Sequence, residues 1–316
     1  MYKKLRNEAD DSELREMYDQ RQSALKWILV TCFGYLGYKN SRFGKVDAHI
    51  AVCAFARDAL LRAVRIAEEH GFEIIHGIVD SLWLKKKDAE PRDYAELCGE
   101  VSREIGVSLN VEGRYRWIVF LPSRTHAGIP VLNRYYGVFE SGKIKVRGIE
   151  ARRADTPKFV HDAQMDMIRV LAKAHNSKEF TEKILEALDV LRYYVKRLVE
   201  GKVSVKDLLI AKRLSLRPAE YAHDVFQAIA AKQLVKAGVD VSAGQAVQYL
   251  ITNSESKKVL QRVKPAPLLD DYMCYDTKKY VELLLLSAAN ILSPFGYTAN
   301  NLYDLIVHGE EQKPLV

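Results

Sequence analysis

Asp80 and Ser81 stand in the stretch HGIVDSLW, where two short runs of β-favouring residues flank a polar pair. That pattern predicts a hairpin across FEIIHGIVDSLWLKKK with Asp80 and Ser81 at or near its tip. Metal-assisted phosphoryl transfer needs carboxylates fixed on rigid strands, so that two Mg²⁺ ions about 4 Å apart activate the attacking oxygen and stabilise the leaving one. Asp80 is a suitable ligand, although aspartate is also common in turns for backbone reasons alone. His76, one unpaired histidine beside this tip, reads as structural.

A second set of residues begins at Arg21-Gln22 and runs through Lys26 into WILVTCFGYLGYKNSRFG. On a helix, Lys26, Val30 and Phe33 fall within about 60° of one another, so a cation, a small apolar surface and an aromatic ring share one face. Such a face can hold a nucleoside triphosphate, with Lys26 on its phosphates and the ring near its sugar; a surface lysine above two core residues satisfies the same spacing. Farther on, Arg134, Lys143, Lys145, Arg147, Arg152 and Arg153 accompany Tyr135 and Tyr136 on predicted strands. Alternation would set several cations on one sheet face, either a seat for a duplex backbone or a plain solvated surface. Lys212, Arg213 and Arg217, close together in the helical region, read as a solvated helix end, with DNA contact as the alternative.

The elements that must position these residues follow from periodicity. Residues 3 to 36 read as helix, first charged and then apolar through Leu25, Ile28, Leu29 and Phe33, until Gly34 and Gly37 interrupt it. One side of this segment must face something other than water. The stretch DAHIAVCAFARDALLRAVRIAEEHG is an amphipathic helix stopping at Gly71, and DYAELCGEVSREIGV is another. RYRWIVFLP, NRYYGVFES and KIKVRGIEARR predict strands, the last two joined around Ser141-Gly142. Beyond Thr156-Pro157 the pattern changes to long helices in FVHDAQMDMIRVLAKAH, EFTEKILEALDVLRYYVKRLVEG, AEYAHDVFQAIAAKQLVKAG and YVELLLLSAANIL, with little strand signal before AVQYLI. A boundary is expected near 156, and GEEQKPLV is expected to be disordered. The order helix, hairpin, helix, sheet predicts an α+β domain.

Bulk properties limit the function classes. The 316 residues are 48% hydrophobic and carry 48 Lys+Arg against 41 Asp+Glu, a net charge of +7 that mildly favours a polyanionic partner. Cys32, Cys53, Cys98 and Cys274 are too scattered for a zinc site or a disulfide framework, which fits a reducing cytoplasm. No apolar run reaches the roughly 18 residues of a membrane span, so no membrane partner is expected.

The order and spacing of these stretches resemble the family B DNA polymerases, in their archaeal branch, across nearly the whole chain. The fingers motif K-x-x-x-N-S-x-Y-G is similar to Lys26-Trp27-Ile28-Leu29-Val30-Thr31-Cys32-Phe33-Gly34, with Val30 in place of an amide that helps shape the nucleotide pocket. The palm motif Y-G-D-T-D-S resembles His76-Gly77-Ile78-Val79-Asp80-Ser81; Ile78 replaces the first aspartate, while the metal-binding second one is kept as Asp80. Leu132-Asn133-Arg134-Tyr135 resembles the duplex-gripping K-K-R-Y motif without its lysines, and Arg147-Gly148 and Arg152-Arg153-Ala154-Asp155 resemble the RG and RRD elements. Tyr275-Asp276 and Phe295-Gly296-Tyr297 are similar to the end of the thumb.

The resemblance implies part of a polymerase: fingers over 1–45, palm over 46–156 and a helical thumb over 157–316. It further implies Mg²⁺ at Asp80, Arg21, Lys26, Val30 and Phe33 around a deoxynucleoside triphosphate, and Ser81, Arg134, Tyr135, Arg147, Arg152 and Arg153 on primer–template DNA. The exonuclease motifs and the palm motif D-x-x-S-L-Y-P-S do not occur in this sequence, so a larger polymerase chain carrying them is the expected partner, the two arising from a naturally split gene, although a cloned fragment would look the same. The alternative is a non-catalytic DNA-binding or scaffolding subunit descended from a polymerase, with Val30 and Ile78 recording lost chemistry.

Overall fold

The charged start of the chain is helical but not continuous. In the computed structural model, which describes residues 1–123, 129–270 and 273–308, α1 spans Tyr2–Glu8 and α2 spans Ser12–Gly37. The break at 9–11 was not expected, and Asp11 explains it: its side chain accepts the Glu13 backbone N–H and so begins a new helix. Nor does Gly34 end α2. A single glycine costs about 1 kcal/mol in a helix, too little to stop one of 26 residues. The helix buries none of its residues; Ile28 is 62% and Leu29 72% exposed.

Helix α3, Val46–Glu69, ends where Gly71 takes a left-handed conformation at φ 74°. It leads into the antiparallel hairpin of β1, Glu73–Ile78, and β2, Ser81–Lys85, and then into α4, Pro91–Ile105, which opens on a capping box between Glu90 and Asp93. The α3 and α4 faces enclose a small core of Ala63, Ala67, Phe72, Leu97 and Val101, with Leu82 and Leu84 of β2 against it. On its other side α3 leaves Ile50, Val52 and Phe55 exposed.

The strands β3, Tyr115–Pro122, β4, Pro130–Phe139, and β5, Ile144–Arg147, form an antiparallel sheet with β4 in the centre. As the periodicity predicted, helices follow Pro157: α5, Lys158–Leu171, and α6, Ser177–Val199. Their apolar stripes pack with α8, Thr277–Leu292, around Met167, Leu171, Leu188, Leu191, Tyr280, Leu284 and Ile291. A second antiparallel sheet went unrecognised in the sequence: β6, Ile210–Arg213, β7, Ala246–Ile251, and β8, Val263–Pro265, with β7 central. Lys212 and Arg213 therefore lie on a strand, not at a helix end.

The helix expected over 219–238 shortens to α7, Phe226–Lys236. Upstream of it the Tyr221 hydroxyl accepts the Ser215 backbone N–H at 2.9 Å, which holds 215–221 in a folded-back loop. A last short helix, α9, spans Ala299–Tyr303. The tail expected to be disordered, 309–316, lies outside the described residues.

By compactness the chain forms two units, Met1–Glu112 and Gly113–Val316. The sheet of β3 to β5 shares a core with α5, α6 and α8 through Leu121, Tyr136 and Ile149. No described helix is long and apolar enough to cross a membrane. The architecture is α+β with antiparallel pairing throughout.

Candidate functional site

In the first unit, pairing of Ile78 with Ser81 leaves Val79 and Asp80 as the two connecting residues of the β1–β2 hairpin. Asp80 is exposed there, and the Ser81 hydroxyl donates to its Oδ1 at 3.1 Å. Val79 adopts φ 52°, a left-handed conformation that a β-branched side chain takes only under strain. A strained residue beside an exposed carboxylate is a recurring feature of functional turns. Behind the tip the ring of His76 lies against Trp83 with centroids 4.9 Å apart. Among the described residues no group of three or more His, Cys, Asp or Glu side chains is assembled to hold a metal ion. Asp80 is a hard oxygen donor on a rigid turn and fits Mg²⁺ as one ligand, not as a whole site.

Lys26, Val30 and Phe33 share one face of α2, and all three are exposed. Phe33 also stacks on His49 of α3 at 4.1 Å, while His49 Nδ1 lies 3.0 Å from the Phe33 carbonyl oxygen. The Arg21 guanidinium sits 5.9 Å from the centroid of the Tyr2 ring.

In the second unit the proposed duplex contacts divide. Arg134 donates to the Pro122 carbonyl at 3.0 Å, the Gly148 carbonyl at 3.4 Å and Asn290 Oδ1 at 3.1 Å. Tyr135 is only 3% exposed. Arg153 makes two hydrogen bonds of 2.9 Å to Asp155, which Lys212 approaches at 3.5 Å. The Arg153 hydrogen bond holds the Asp155 carboxyl below the usual carboxylate range, against a smaller desolvation effect. Arg147 and Arg152, in contrast, are exposed and make no ion pair among the described residues.

Sequence reading missed Gln164, Glu150 and Asn290. Gln164 is fully buried: its amide donates to Glu150 Oε2 at 2.9 Å and to the Ser287 carbonyl at 2.8 Å, and its carbonyl oxygen accepts the Ala151 N–H at 2.7 Å. A glutamine at helical spacing among Val160, Ala163 and Met167 was the available signal, since a polar residue in a core stripe must be hydrogen-bonded.

The pattern of DNA polymerase family B matches residues 1–295. The chain belongs to that family. It is 30% identical to DNA polymerase 2 of Aeropyrum pernix over 293 residues, covering 92% of this chain and 34% of that protein. DNA polymerase 2 of Saccharolobus solfataricus is 35% identical over 191 residues, 60% of this chain and 28% of the relative. A solved family B DNA polymerase from Pyrobaculum calidifontis superposes with a TM-score of 0.58 at 27% identity, covering 94% of this chain and 36% of that one. This chain thus corresponds to about a third of the family B polymerases it matches.

Proposed function

We propose that this chain supplies the C-terminal part of a DNA polymerase active site, with fingers residues 1–45, palm residues 46–156 and thumb residues 157–316, and that a larger chain carrying the remaining palm completes it. The observation that carries this reading is Asp80, exposed on a strained two-residue hairpin tip in a chain that belongs to family B. One carboxylate cannot hold two metal ions, so the other ligands must come from elsewhere. The exposed apolar side chains of α2 and α3, among them Ile28, Leu29, Ile50 and Phe55, fit covering by that second chain.

In this reading Asp80 binds Mg²⁺ together with an aspartate of the partner, and Lys26, helped by Arg21, neutralises the triphosphate of an incoming deoxynucleotide. Bound Mg²⁺ would supply the charge that stabilises in-line attack of a primer 3′-hydroxyl on the α-phosphate. This chain's own residues contribute position and charge: Val30 and Phe33 line the nucleotide face of α2, and Ser81 orients Asp80. Arg147 and Arg152 meet duplex phosphates. Arg153 reaches them only from its pair with Asp155, and Arg134 and Tyr135 act through packing. Localisation in the cytoplasm goes with this role.

A second reading is a scaffold subunit that binds DNA without chemistry, and Ile78 in place of the first palm aspartate favours it. Primer extension separates the two. Extension should require Mg²⁺, deoxynucleotides and both chains, and Asp80→Ala should reduce it by about 10³-fold or more without loss of duplex binding. A mixture that binds primer–template and never extends it, or that extends it equally well with Asp80→Ala, leaves the scaffold reading in place.

A further inference from the structure

The segment from Arg147 to Arg153 alternates in an informative way. Arg147 and Arg152 are exposed, while Ile149 and Ala151 between them are buried. Gly148 lies so close to β4 that a Cβ there would stand 2.3 Å from the Asn133 carbonyl oxygen. Two exposed guanidiniums are thus rooted on a backbone held flat against the sheet. What holds it is a polar relay through four separate parts of the fold. Arg134 of β4 donates to Asn290 Oδ1 of α8 at 3.1 Å, and Asn290 Nδ2 donates to Glu150 Oε1 at 2.5 Å. Glu150 Oε2 accepts from Gln164 of α5, whose carbonyl oxygen in turn accepts the Ala151 N–H.

The relay balances one guanidinium with one carboxylate, and each amide in it uses both its donor and its acceptor. Gln164 is buried and Arg134, Glu150 and Asn290 are half-buried, and polar groups satisfied to this extent rigidify their surroundings. Asn290 occupies its middle, 140 residues from Glu150 in sequence, and joins Arg134 to Glu150 through one side-chain amide.

We propose that Asn290 is a positioning residue for nucleic-acid binding: through Arg134 and Glu150 it fixes the 147–153 segment so that Arg147 and Arg152 present to a duplex backbone in one arrangement. The proposal rests on the DNA-binding reading above. A loose segment would keep its charge and still attract a polyanion, but two long side chains would then have to be ordered at each encounter, which opposes binding. Asn290→Ala should therefore weaken binding by roughly fivefold or more. It removes no cation, so the dependence of binding on salt should keep its slope. Arg152→Ala, a direct phosphate contact, should lower that slope by about 0.9.

The test uses the full chain and a short primer–template duplex, with amide hydrogen exchange at Ala151 and Arg152 as a second readout. Tyr136→Phe serves as the comparison, because it deletes a buried hydrogen bond of 2.8 Å to the Ile291 carbonyl without touching the relay. Asn290→Ala should speed exchange at Ala151 and Arg152 and weaken binding at unchanged slope, whereas Tyr136→Phe should do neither. Unchanged exchange in Asn290→Ala, or faster exchange with unchanged binding, overturns the proposal, as does an equal loss of binding in Tyr136→Phe. An unaltered chain that does not bind the duplex overturns the functional reading instead, and exchange then decides the relay by itself.

Discussion

Gly148→Ala puts the seating of the cationic segment to a quantitative test. Gly148 sits at φ 63°, where a side chain costs roughly 1–2 kcal/mol. A Cβ at that position would also meet the Asn133 carbonyl oxygen at 2.3 Å and Arg134 Cγ at 2.8 Å, well inside ordinary van der Waals contact. Backbone is the nearer obstacle, so relief requires separating the segment from β4, at an overpacking cost of about 1–3 kcal/mol. Together these give about 2–5 kcal/mol. Gly142→Ala is the matched control: its φ is 81°, but nothing lies within 4 Å of the added carbon, so only the backbone cost of about 1–2 kcal/mol applies. Urea unfolding followed by Trp117, whose ring packs edge-on against Tyr136 and Phe180, reports the right core. Trp27 and Trp83 should first be replaced by Phe, since both belong to the other unit. With a slope near 2 kcal/mol/M, Gly148→Ala should move the midpoint by about 1–2.5 M and Gly142→Ala by about 0.5–1 M. Equal shifts for the two would refute the argument, because the close approach would then contribute nothing.

Asp155, 25% exposed, is held below its usual pKa first by Arg153, so its folded value lies below its unfolded one. The stability it contributes is present above about pH 4 and is lost as pH falls through the lower folded value. Acid titration of unfolding should accordingly be shallower in Asp155→Asn, and identical profiles would remove the ion pair from consideration. Val79→Asn should stabilise the first unit by about 1 kcal/mol in thermal unfolding, since asparagine tolerates the left-handed turn that valine resists. Ile28→Glu combined with Leu29→Glu should leave stability within about 0.5 kcal/mol while cutting binding of an apolar fluorescent dye; a large loss of stability would mean that these side chains are packed.

Legibility in the sequence follows the range of the interactions. The amphipathic helices α3 to α6 and α8 repeat their apolar residues at three and four, and the hairpin tip at Asp80 is a local turn, so both could be read directly. Strand β6 is four residues long and exists because β7, beginning 33 residues later at Ala246, pairs with it; nothing within Ile210–Arg213 announces that. The fate of Arg134 was equally hidden. Its type and neighbours match a duplex contact, but whether its guanidinium reaches solvent depends on Asn290, 156 residues away. The burial of Tyr135 was hidden for the same reason, because alternation on β4 tells which residues share a face and not which face is covered.

The two units differ in how much core they build. Gly113–Val316 has a continuous core built from two sheets and three long helices, and its cationic segment is anchored within it. Met1–Glu112 carries Asp80 and Lys26 but buries only five apolar side chains, and α2 contributes none of them. A helix of 26 residues with no buried side chain gains little from packing within this chain, and helical stability in proteins comes mostly from packing an apolar face. On the proposed reading, the residues assigned to phosphoryl transfer therefore sit on the part of the molecule with most to gain from being covered. If the proposed second chain covers α2 and α3, its binding would raise the stability of the first unit and place Lys26 and Asp80 on an ordered scaffold in the same event, so assembly and any polymerase activity should rise together as that chain is titrated.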